Sequence, residues 1–266
     1  MAFTDPKNVV AWITAHILGH DGLLSRVMLK QGRAAGKVIE INVTQPSSTD
    51  TIDGALLTGD QDNVVLTITG TPEARRVPLD PGEYNDWNRD PSYREAQIAQ
   101  MADDLRISME NALDTAMVAA TNTVALATDN TFTLALFWQA VATALSVGAR
   151  LEDLSFITGP AGWASIMTAG FANAGGSVAG ISGAVGNISG IPCFVSQNVT
   201  IATTTGDPAG YLWARQGIQA GIAGIDFIGP QKSALTGTAD VTATLMHGFV
   251  LNASVATKFV TKFTNP

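Results

Sequence analysis

Three acidic side chains stand close together in the sequence, at Asp80, Glu83 and Asp86. Carboxylate oxygens are the ligands that Mg²⁺ and Ca²⁺ prefer, so this trio could hold a divalent cation. A metal-dependent enzyme is therefore one hypothesis for the chain. The segment that begins at Asp80, DPGEYNDWNRDP, is also rich in turn-forming residues, and a solvated turn explains the same acids equally well.

Two histidines, His16 and His20, are four residues apart, which is the spacing of two zinc ligands on one face of a helix. The zincin motif also requires a glutamate directly after the first histidine, and Ile17 occupies that position. We therefore interpret both histidines as ordinary polar residues.

Candidate nucleophiles are equally scarce. Cys193 is the only cysteine, so an intrachain disulfide and a CxxC site are excluded. It lies in the apolar segment IPCFVSQNV with no histidine near it in the sequence, which favours a buried structural thiol. No GxSxG motif occurs, and the adjacent Asp103 and Asp104 would lie about 100° apart around a helix. We therefore expect no catalytic residue, no cofactor and no metal site.

The composition argues against several other functions. Of the 266 residues, 46% are hydrophobic and only 14% are charged, against about 25% in a typical soluble domain. The net charge of −8 and the lack of clustered Lys or Arg argue against a general nucleic-acid binder. No charged residue occurs between positions 154 and 206. A surface so poor in charge predicts that other subunits cover much of it.

The uncharged residues 130–149 form a segment long enough for a membrane span. The segment also contains several Thr, Ser and Gln residues, and its bulkier apolar residues recur at helical spacing, at Leu134, Phe137, Trp138, Val141 and Leu145. We therefore predict a buried helix here and no contact with a membrane.

The elements that would position any site are dominated by a helix predicted over residues 91–121. Pro91 stands at its start between two helix-capping residues, Asp90 and Ser92. Apolar residues recur three or four apart along it, at Ile98, Met101, Leu105, Met109, Ala112, Ala116 and Ala120. At about 1.5 Å per residue the helix would be roughly 40 Å long. It is either an amphipathic helix of a globular enzyme or a helix that lies against something extended.

Before this helix, the sequence predicts a long hairpin. Residues 36–44 and Asn63–Thr69 alternate apolar and polar side chains, as strands do, and RRVPLD, residues 75–80, predicts a third strand. The hairpin shows no core of its own, and an isolated hairpin is only marginally stable in water. It either lies across a neighbouring subunit or packs within its own.

After the long helix, strands and helices do not alternate in βαβ order, which predicts the α+β class. Residues 170–190 hold seven glycines with neither the dinucleotide nor the Walker spacing, so we interpret them as a mobile loop and not a phosphate-binding one. The other predicted elements are a helix over 132–150, a helix beginning at Pro160, and strands over 154–158, 191–199, 240–252 and 255–263.

Taken in order, several segments resemble the major capsid protein of tailed bacteriophages, which has the Hong Kong ninety-seven fold. They are GKVIEINVTQP leading into NVVLTITGTPEARRVPLD, the helix YREAQIAQMADDLRISMENALDTAM, and the later segments RLEDLSFITGPAGWASIM, VGNISGIPCFVSQNV and GYLWARQGIQAGIA. The resemblance covers almost all of the chain and lies in the order of the segments, not in a signature motif.

The resemblance implies a phage major capsid fold of the α+β class with parts that follow one another along the chain. These are an N-terminal arm at 1–36, an extended hairpin loop at 37–90, a spine helix and peripheral domain at 91–129, an axial domain at 130–236, and return strands of the peripheral domain at 237–266.

The resemblance further implies a structural protein, not an enzyme, that assembles with copies of itself into the hexamers and pentamers of an icosahedral shell. The shell would enclose double-stranded DNA without sequence-specific binding, with scaffolding, portal and decoration proteins as separate partners. It would be found in the virion capsid and be assembled in the host cytoplasm. The nearest alternative is an encapsulin-type nanocompartment shell, and the metal-dependent enzyme is the more distant one.

Four residues are predicted to contact a neighbouring subunit. Arg75 and Arg76 stand side by side on the hairpin, where they could pair with acidic residues of another copy, and the aromatic candidates are Trp12 and Trp87. No Lys occurs between positions 37 and 232, so the lysine-to-asparagine cross-link of some family members is not expected here.

Overall fold

The computed structural model of the chain describes residues 5–19, 23–44, 63–170, 173–174, 184–196, 199, 205–232, 238–251 and 259–266. The helices in these ranges are α1 Pro6–Leu18, α2 Pro81–Arg89, α3 Pro91–Met117, α4 Leu134–Leu145 and α5 Pro160–Thr168. The strands are β1 Met28–Gln31, β2 Arg33–Ala35, β3 Val38–Thr44, β4 Asn63–Thr69, β5 Thr71–Leu79, β6 Asn122–Ala125, β7 Leu154–Thr158, β8 Asn173–Ala174, β9 Gly186–Ile188, β10 Ile191–Val195, β11 Pro208–Ala214, β12 Ile218–Lys232, β13 Ala239–Leu251 and β14 Val260–Thr264. This mixture confirms the predicted α+β class.

Sheet one has the strand order β1-β12-β13-β5. Its centre is the long antiparallel pair of β12 and β13, which runs from Ile218 opposite Leu251 to Lys232 opposite Ala239, with register shifts after Ala223 and after Ile228. Alternate residues of β13 are buried, as expected for a strand with one face in a core. That buried face packs against apolar side chains of α1 and α3. The long helix therefore lies across a sheet of its own subunit.

Sheet two has the strand order β6-β14-β11-β7-β10-β9-β8 and carries α4 and α5. Every residue of β7 is buried, which is typical of a central strand covered on both faces. Its core is aromatic, with edge-to-face ring pairs whose centroids lie 5.3 to 5.8 Å apart among Phe132, Phe137, Phe156 and Phe263.

Sheet three, of order β2-β3-β4, is the base of the predicted hairpin and stacks on sheet one. The close approach depends on glycine, because a Cβ at Gly221 would lie 3.0 Å from Ile39 and one at Gly248 would lie 2.7 Å from Ile68. Both isoleucines are buried. The described part of the hairpin therefore packs within its own subunit, which is the second of the two alternatives, and it shares its core with sheet one. The segment between its strands, residues 45–62, lies outside the described residues.

The predicted third strand of the hairpin, β5, belongs to sheet one, where it pairs with β13 from Thr71 opposite His247 to Leu79 opposite Ala239. This corrects the interpretation of β5 as part of the hairpin. The sequence pattern correctly identified a strand, but a pattern of alternation does not specify which strand it pairs with.

The helix α3 begins at Pro91, as predicted, with Asp90 as its N-cap, and ends at Met117, four residues before the predicted end. The first four residues of the predicted apolar stripe are buried. The stripe then continues through Leu113 and Met117 instead of the predicted alanines at 112 and 116. The larger side chains take the buried positions because they remove more apolar surface from water.

The predicted N-terminal arm is largely packed within its own subunit. Asp5 caps α1, whose Val9, Ile13 and Ile17 are buried in the core beneath sheet one. β1 pairs with β12 in parallel. The described part of residues 1–36 is therefore integral to the fold and does not project from it.

Sheet membership divides the chain differently from the predicted boundary at residue 237. β12 lies in the range predicted for the axial domain but belongs to sheet one, and β14 lies in the predicted return segment but belongs to sheet two. The domain boundaries themselves remain predictions.

Some predicted strands have the observed bounds, and others lie partly outside the described residues. β4 and β7 have the predicted bounds, whereas β10 is shorter than predicted and ends at Val195. Residues 252–258 of the last predicted strand and most of the glycine-rich residues 170–190 lie outside the described residues. The mobile-loop interpretation of that segment therefore remains a prediction.

Candidate subunit interface

Glu83 and Asp86 of the acidic trio lie in α2 and Asp80 caps its start, in a segment whose sequence also suggested a turn. Asp80 Oδ1 accepts a hydrogen bond from the Glu83 N–H at 2.8 Å, and Glu83 Oε2 accepts one from the Asp80 N–H at 2.9 Å. This capping box uses both carboxylates to satisfy backbone donors. Within the described ranges, no group of three or more His, Cys, Asp or Glu side chains is placed to hold a metal ion. The metal-enzyme hypothesis gains no support from this geometry.

His16 connects two helices. Its Nε2 lies 3.0 Å from Oδ1 of Asp103 on α3, and its ring stacks on Trp12 with centroids 5.0 Å apart. The hydrogen bond from His16 lowers the pKa of the Asp103 carboxyl. His16 is therefore a polar residue that ties α1 to α3, as interpreted from the sequence, whereas His20 lies outside the described residues.

Cys193 is fully buried in β10. Burial raises the pKa of its thiol to about 12, so the group stays protonated at neutral pH and is a poor nucleophile. The interpretation of a buried structural thiol is confirmed.

The two arginines predicted to meet a neighbour face opposite sides of β5, because successive strand residues alternate. Arg75 Nη1 lies 3.6 Å from Oε2 of Glu73. Arg76 forms an ion pair with Asp240 on β13, and its side chain is 67% exposed. Both arginines thus have partners in their own subunit. Their pairing with a neighbour remains a prediction, and the exposed Arg76 is the better placed of the two.

The two tryptophans predicted at the interface differ in exposure. Trp87 is 4% exposed and lies in the core beneath sheet one, so its indole already packs inside its own subunit. Trp12 is half-buried against the same core and stacks on His16. Of the two, only Trp12 has surface left for a partner.

A groove lies beside Arg76 on sheet one. We call it the β12–β13 groove; it is lined by Arg76, Ile228, Gln231, Lys232, Asp240 and Thr242. The Lys232 ammonium lies 5.5 Å from the centroid of the Tyr84 ring, a cation–π distance. Sequence reasoning missed this groove because its residues meet only through the pairing of β5, β13 and β12. No local signal joins positions 76 and 232.

The helix α4 buries one face and exposes another apolar face. Phe137, Val141 and Ala144 are buried, whereas Leu134, Trp138 and Leu145 are 44%, 36% and 39% exposed. The predicted buried helix is therefore buried on one side only. A helix that is apolar all round is normally covered all round, so the exposed face indicates a further contact. None of the described helices combines the length and hydropathy of a membrane span.

One buried acid joins α3 to sheet two. Asp114 is 5% exposed, and its Oδ2 accepts a hydrogen bond of 2.6 Å from Ser196, while Oδ1 has no hydrogen-bond partner among the described residues. Burial raises the pKa of Asp114 to about 6, because removing a carboxylate from water disfavours its charged form. The apolar stripe predicted from the sequence does not include this residue, yet the structure buries it.

Comparison by sequence finds no matching protein family and no matching curated protein. Comparison by structure does find similar proteins. The capsid of the native GTA particle shares 12% identity over 92% of this chain and 90% of that chain, with a TM-score of 0.56. The capsid of Ralstonia phage GP4 shares 10% identity over 90% and 86% of the two chains, with a TM-score of 0.56.

A third solved structure, of a virus-like particle from Pyrococcus furiosus, shares 9% identity over 99% of this chain and 100% of that chain, with a TM-score of 0.54. In all three cases the likeness extends over nearly whole chains, so it concerns the fold as a unit and not one shared motif.

Proposed function

We propose that this chain, which has the fold of phage capsid proteins, is the shell protein of a capsid. The observation that carries the proposal is the extent of the structural likeness, which spans at least 90% of this chain in each comparison. The fold was expected from the order of the sequence segments, and the comparisons confirm it. The proposed role is structural and not enzymatic.

The finer proposal is a closed icosahedral shell of hexamers and pentamers that surrounds double-stranded DNA, in a virion assembled in the host cytoplasm. The exposed apolar face of α4 supports contacts between copies, because an apolar helix face in water is normally covered. The net charge of −8 supports an inner wall that does not retain DNA. Scaffolding, portal and decoration proteins would be separate partners.

A second candidate is the shell of an encapsulin-type nanocompartment. The likeness to the Pyrococcus furiosus virus-like particle favours it, because that match covers all but 1% of this chain and all of the other chain. The contents distinguish the two candidates. Nuclease-protected double-stranded DNA inside purified particles would favour the phage head, and a bound cargo protein would favour the nanocompartment.

The test is the state of the purified full-length chain. We expect light scattering to show large assemblies and negative-stain electron microscopy to show closed shells. A monodisperse species of 27.7 kDa at high concentration would contradict the proposal.

The predicted arginine contact has its own test within this proposal. Replacing Arg75 and Arg76 together by Ala should reduce the yield of shells without unfolding the subunit, because exposed ion pairs contribute only about 0.2–1 kcal/mol each to folding. Arg150→Ala is the matched control, since Arg150 is another exposed arginine paired within its own chain. An unchanged yield for the double variant would remove these arginines from the interface.

A further inference from the structure

A second groove lies where the chain passes from sheet two to sheet one. The strand β11 ends at Ala214, a short 3₁₀ turn, Arg215–Gly217, follows it, and β12 begins at Ile218. We call this cavity the crossover groove; its volume is about 340 Å³, and it is lined by Met28, Leu29, Lys30, Asp153, Arg215 and Gln216. Sites for small ligands have volumes of about 300–1,000 Å³, so the groove is large enough to hold one.

Strand pairing in sheet two forms one wall of the groove. Ala214, the last residue of β11, lies opposite Leu154, the first residue of β7. The two strands are antiparallel, so Arg215, which follows β11, and Asp153, which precedes β7, lie at the same end of the pair. A cation and an acid that are 62 positions apart in the sequence are thereby brought to one place.

The strand β1 supplies the other wall. It pairs in parallel with the start of β12, with Met28 opposite Gln219. It is the edge strand of sheet one, and no other described strand pairs with its outer side. The groove therefore brings Lys30 of sheet one together with Arg215 of the turn that follows sheet two.

A third cation, Arg26, is fixed beside the groove. Its Nε donates to Ser155 Oγ at 2.7 Å. Its Nη2 donates to the backbone carbonyls of Glu152 at 2.7 Å and Leu154 at 2.9 Å. All three acceptors are neutral oxygens, so they hold the guanidinium in place without cancelling its charge. A partly buried charge that has only neutral partners favours an anion nearby.

The charges around the groove do not cancel. Asp153 is the only carboxylate in its lining, and no carboxylate of the described residues lies within ion-pair distance of Arg215. Burial and the positive charge of Arg215 lower the pKa of Arg26, while Asp153 acts in the opposite direction. Three cations thus act around one acid on a chain whose net charge is −8. Such a local excess of positive charge attracts an anion.

The types of these cations favour a phosphate group. The planar fork of an arginine matches the oxygens of a phosphate with two parallel hydrogen bonds, and a lysine binds phosphate as a point charge. A phosphate carries more negative charge than a carboxylate and offers three strong acceptor oxygens. A long polyanion would also meet the negative charge of the rest of the chain, so a single phosphate group fits the groove better.

We propose that the crossover groove binds a phosphate group, which Arg215 and Lys30 hold directly while Arg26 adds positive charge from outside the lining. The bound group would contact β1 of sheet one and the turn that follows β11 of sheet two. It would therefore join the two regions of the subunit. This inference goes beyond the shell proposal and does not depend on it.

Calorimetric titration of inorganic phosphate into the full-length chain tests the site, with the ionic strength held constant by chloride. The wild type should bind phosphate, and Arg215→Gln should weaken the binding by about tenfold, because charge-assisted hydrogen bonds are lost. Arg215→Lys keeps the charge without the planar fork and should recover part of the affinity. Arg89→Gln is the matched control, since Arg89 is an exposed arginine on α2 outside the groove. No binding by the wild type, or equal binding by Arg215→Gln, would overturn the proposal.

The acid in the groove provides an arm with the opposite sign. Asp153→Asn removes the negative charge that opposes an anion, so phosphate should bind roughly threefold more tightly, a modest gain because the site is open to water. Weaker binding by this variant would overturn the proposal, because it would mean that the carboxylate helps to hold the ligand. Acetate that displaces phosphate at equal concentration would also overturn it, by showing that the groove takes a carboxylate.

Thermal unfolding gives an independent readout. A ligand that binds only the folded state stabilises it, so phosphate should raise the melting temperature of the wild type above that in chloride of equal ionic strength. The rise should be absent in Arg215→Gln and present in Arg89→Gln. A rise of the same size in all three proteins would show that phosphate acts on the chain as a whole and would overturn the assignment to this groove.

A short DNA duplex identifies the source of the phosphate. A duplex that displaces inorganic phosphate from the wild type would assign the site to the backbone of nucleic acid, and one that does not would assign it to the free anion. Either result supports a phosphate site. A chain that stays monomeric and binds phosphate would contradict the shell proposal alone, whereas a chain that assembles without binding phosphate would contradict this inference alone.

Discussion

Sheet one and sheet two lie in the same subunit but are stabilised by different side chains. Beneath sheet one, α1 and α3 combine apolar packing with a chain of charged contacts, from His16 to Asp103 at 3.0 Å, to Arg106 at 3.5 Å and on to Glu110 at 2.7 Å. The core of sheet two is a cluster of phenylalanine rings, and no charged residue occurs in the chain between positions 154 and 206.

This difference indicates how each region meets its surroundings. Charged side chains around sheet one keep the outer face of α3 compatible with water. The region of sheet two has few such residues and leaves apolar side chains of α4 exposed. An apolar core supplies stability within the subunit, whereas an apolar surface supplies it only when another molecule covers it. The charge-poor region is therefore the one that would gain more stability from contact with another molecule.

The largest expected effect is the loss of the aromatic core of sheet two. Phe156 is fully buried, and its ring contacts those of Phe132, Phe137 and Phe263. Phe156→Ala should lower the free energy of unfolding by about 3–5 kcal/mol, because it leaves a cavity in a close-packed cluster. Urea unfolding of the subunit measures the change.

The matched control for this variant is Trp138→Ala, which removes an aromatic ring from the exposed face of α4. Trp138 is 36% exposed and its ring lies edge-on to that of Phe137 with centroids 6.1 Å apart, so its removal should lower the free energy of unfolding of the isolated subunit by only about 0.5–1.5 kcal/mol. Equal losses for the two variants would contradict the distinction between an internal core and an exposed apolar surface.

The next largest effect concerns the contact between the two regions, where Asp114 of α3 accepts a hydrogen bond from Ser196, the residue after β10. Burial raises the pKa of Asp114 from 3.8 to about 6, and the negative charge of Glu110 raises it further. The pKa of Tyr211 is also raised, by burial and by the carboxylate of Asp114. The folded chain therefore holds a proton more tightly than the unfolded chain does. Stability falls as pH rises from 3.8 to 6, and above that window the fold carries a buried charge.

Asp114→Asn removes this charge while keeping the shape of the side chain. The variant should be more stable than the wild type by up to about 3 kcal/mol above pH 6, since each pKa unit corresponds to about 1.4 kcal/mol. The gain should disappear near pH 4. Denaturation at a series of pH values checks this, with the exposed Asp129→Asn as control. A stability difference that does not change with pH would show that the carboxyl is not buried as described.

The sequence predicted those elements whose signals are local. The start of α3 at Pro91 follows from its cap at Asp90, and the strands β4 and β7 follow from their apolar patterns. The helix α2 was missed although its capping box, Asp80 with Glu83, is visible in the sequence. Pro81 and Gly82 at its start give a turn signal that is stronger than that of the capping box.

The candidate interface could not be predicted in the same way. The strand β5 reads as a hairpin strand until its register with β13 is known, and the β12–β13 groove joins Arg76 to Lys232 only through that register. The burial of Asp114 was equally hidden, because a polar residue on a helix is normally exposed. Such features depend on contacts between residues distant in sequence, which periodicity does not encode.

The smallest expected effect is in the charged contacts beneath sheet one. Asp103→Asn removes the negative charge that faces His16 and Arg106 and weakens the link between α1 and α3. Because the Asp103 side chain is 47% exposed, the loss in the free energy of unfolding should be only about 0.2–1 kcal/mol, and high salt should reduce it further. The pKa of Asp103 is lowered by its hydrogen bond to His16. Its contribution is therefore present above the ordinary carboxyl pKa and is lost as pH falls through the lowered value.

The measurement for Asp103→Asn is urea unfolding at neutral pH with and without added salt. Glu95→Gln on the same helix is the matched control, because Glu95 is exposed and forms no ion pair among the described residues. A loss as large as that of Phe156→Ala would contradict this expectation. It would mean that a half-exposed ion pair stabilises sheet one as much as a buried aromatic ring stabilises sheet two. A small, salt-sensitive loss would instead show that sheet one is held by its apolar face, and that its charges serve mainly to keep α3 in contact with water.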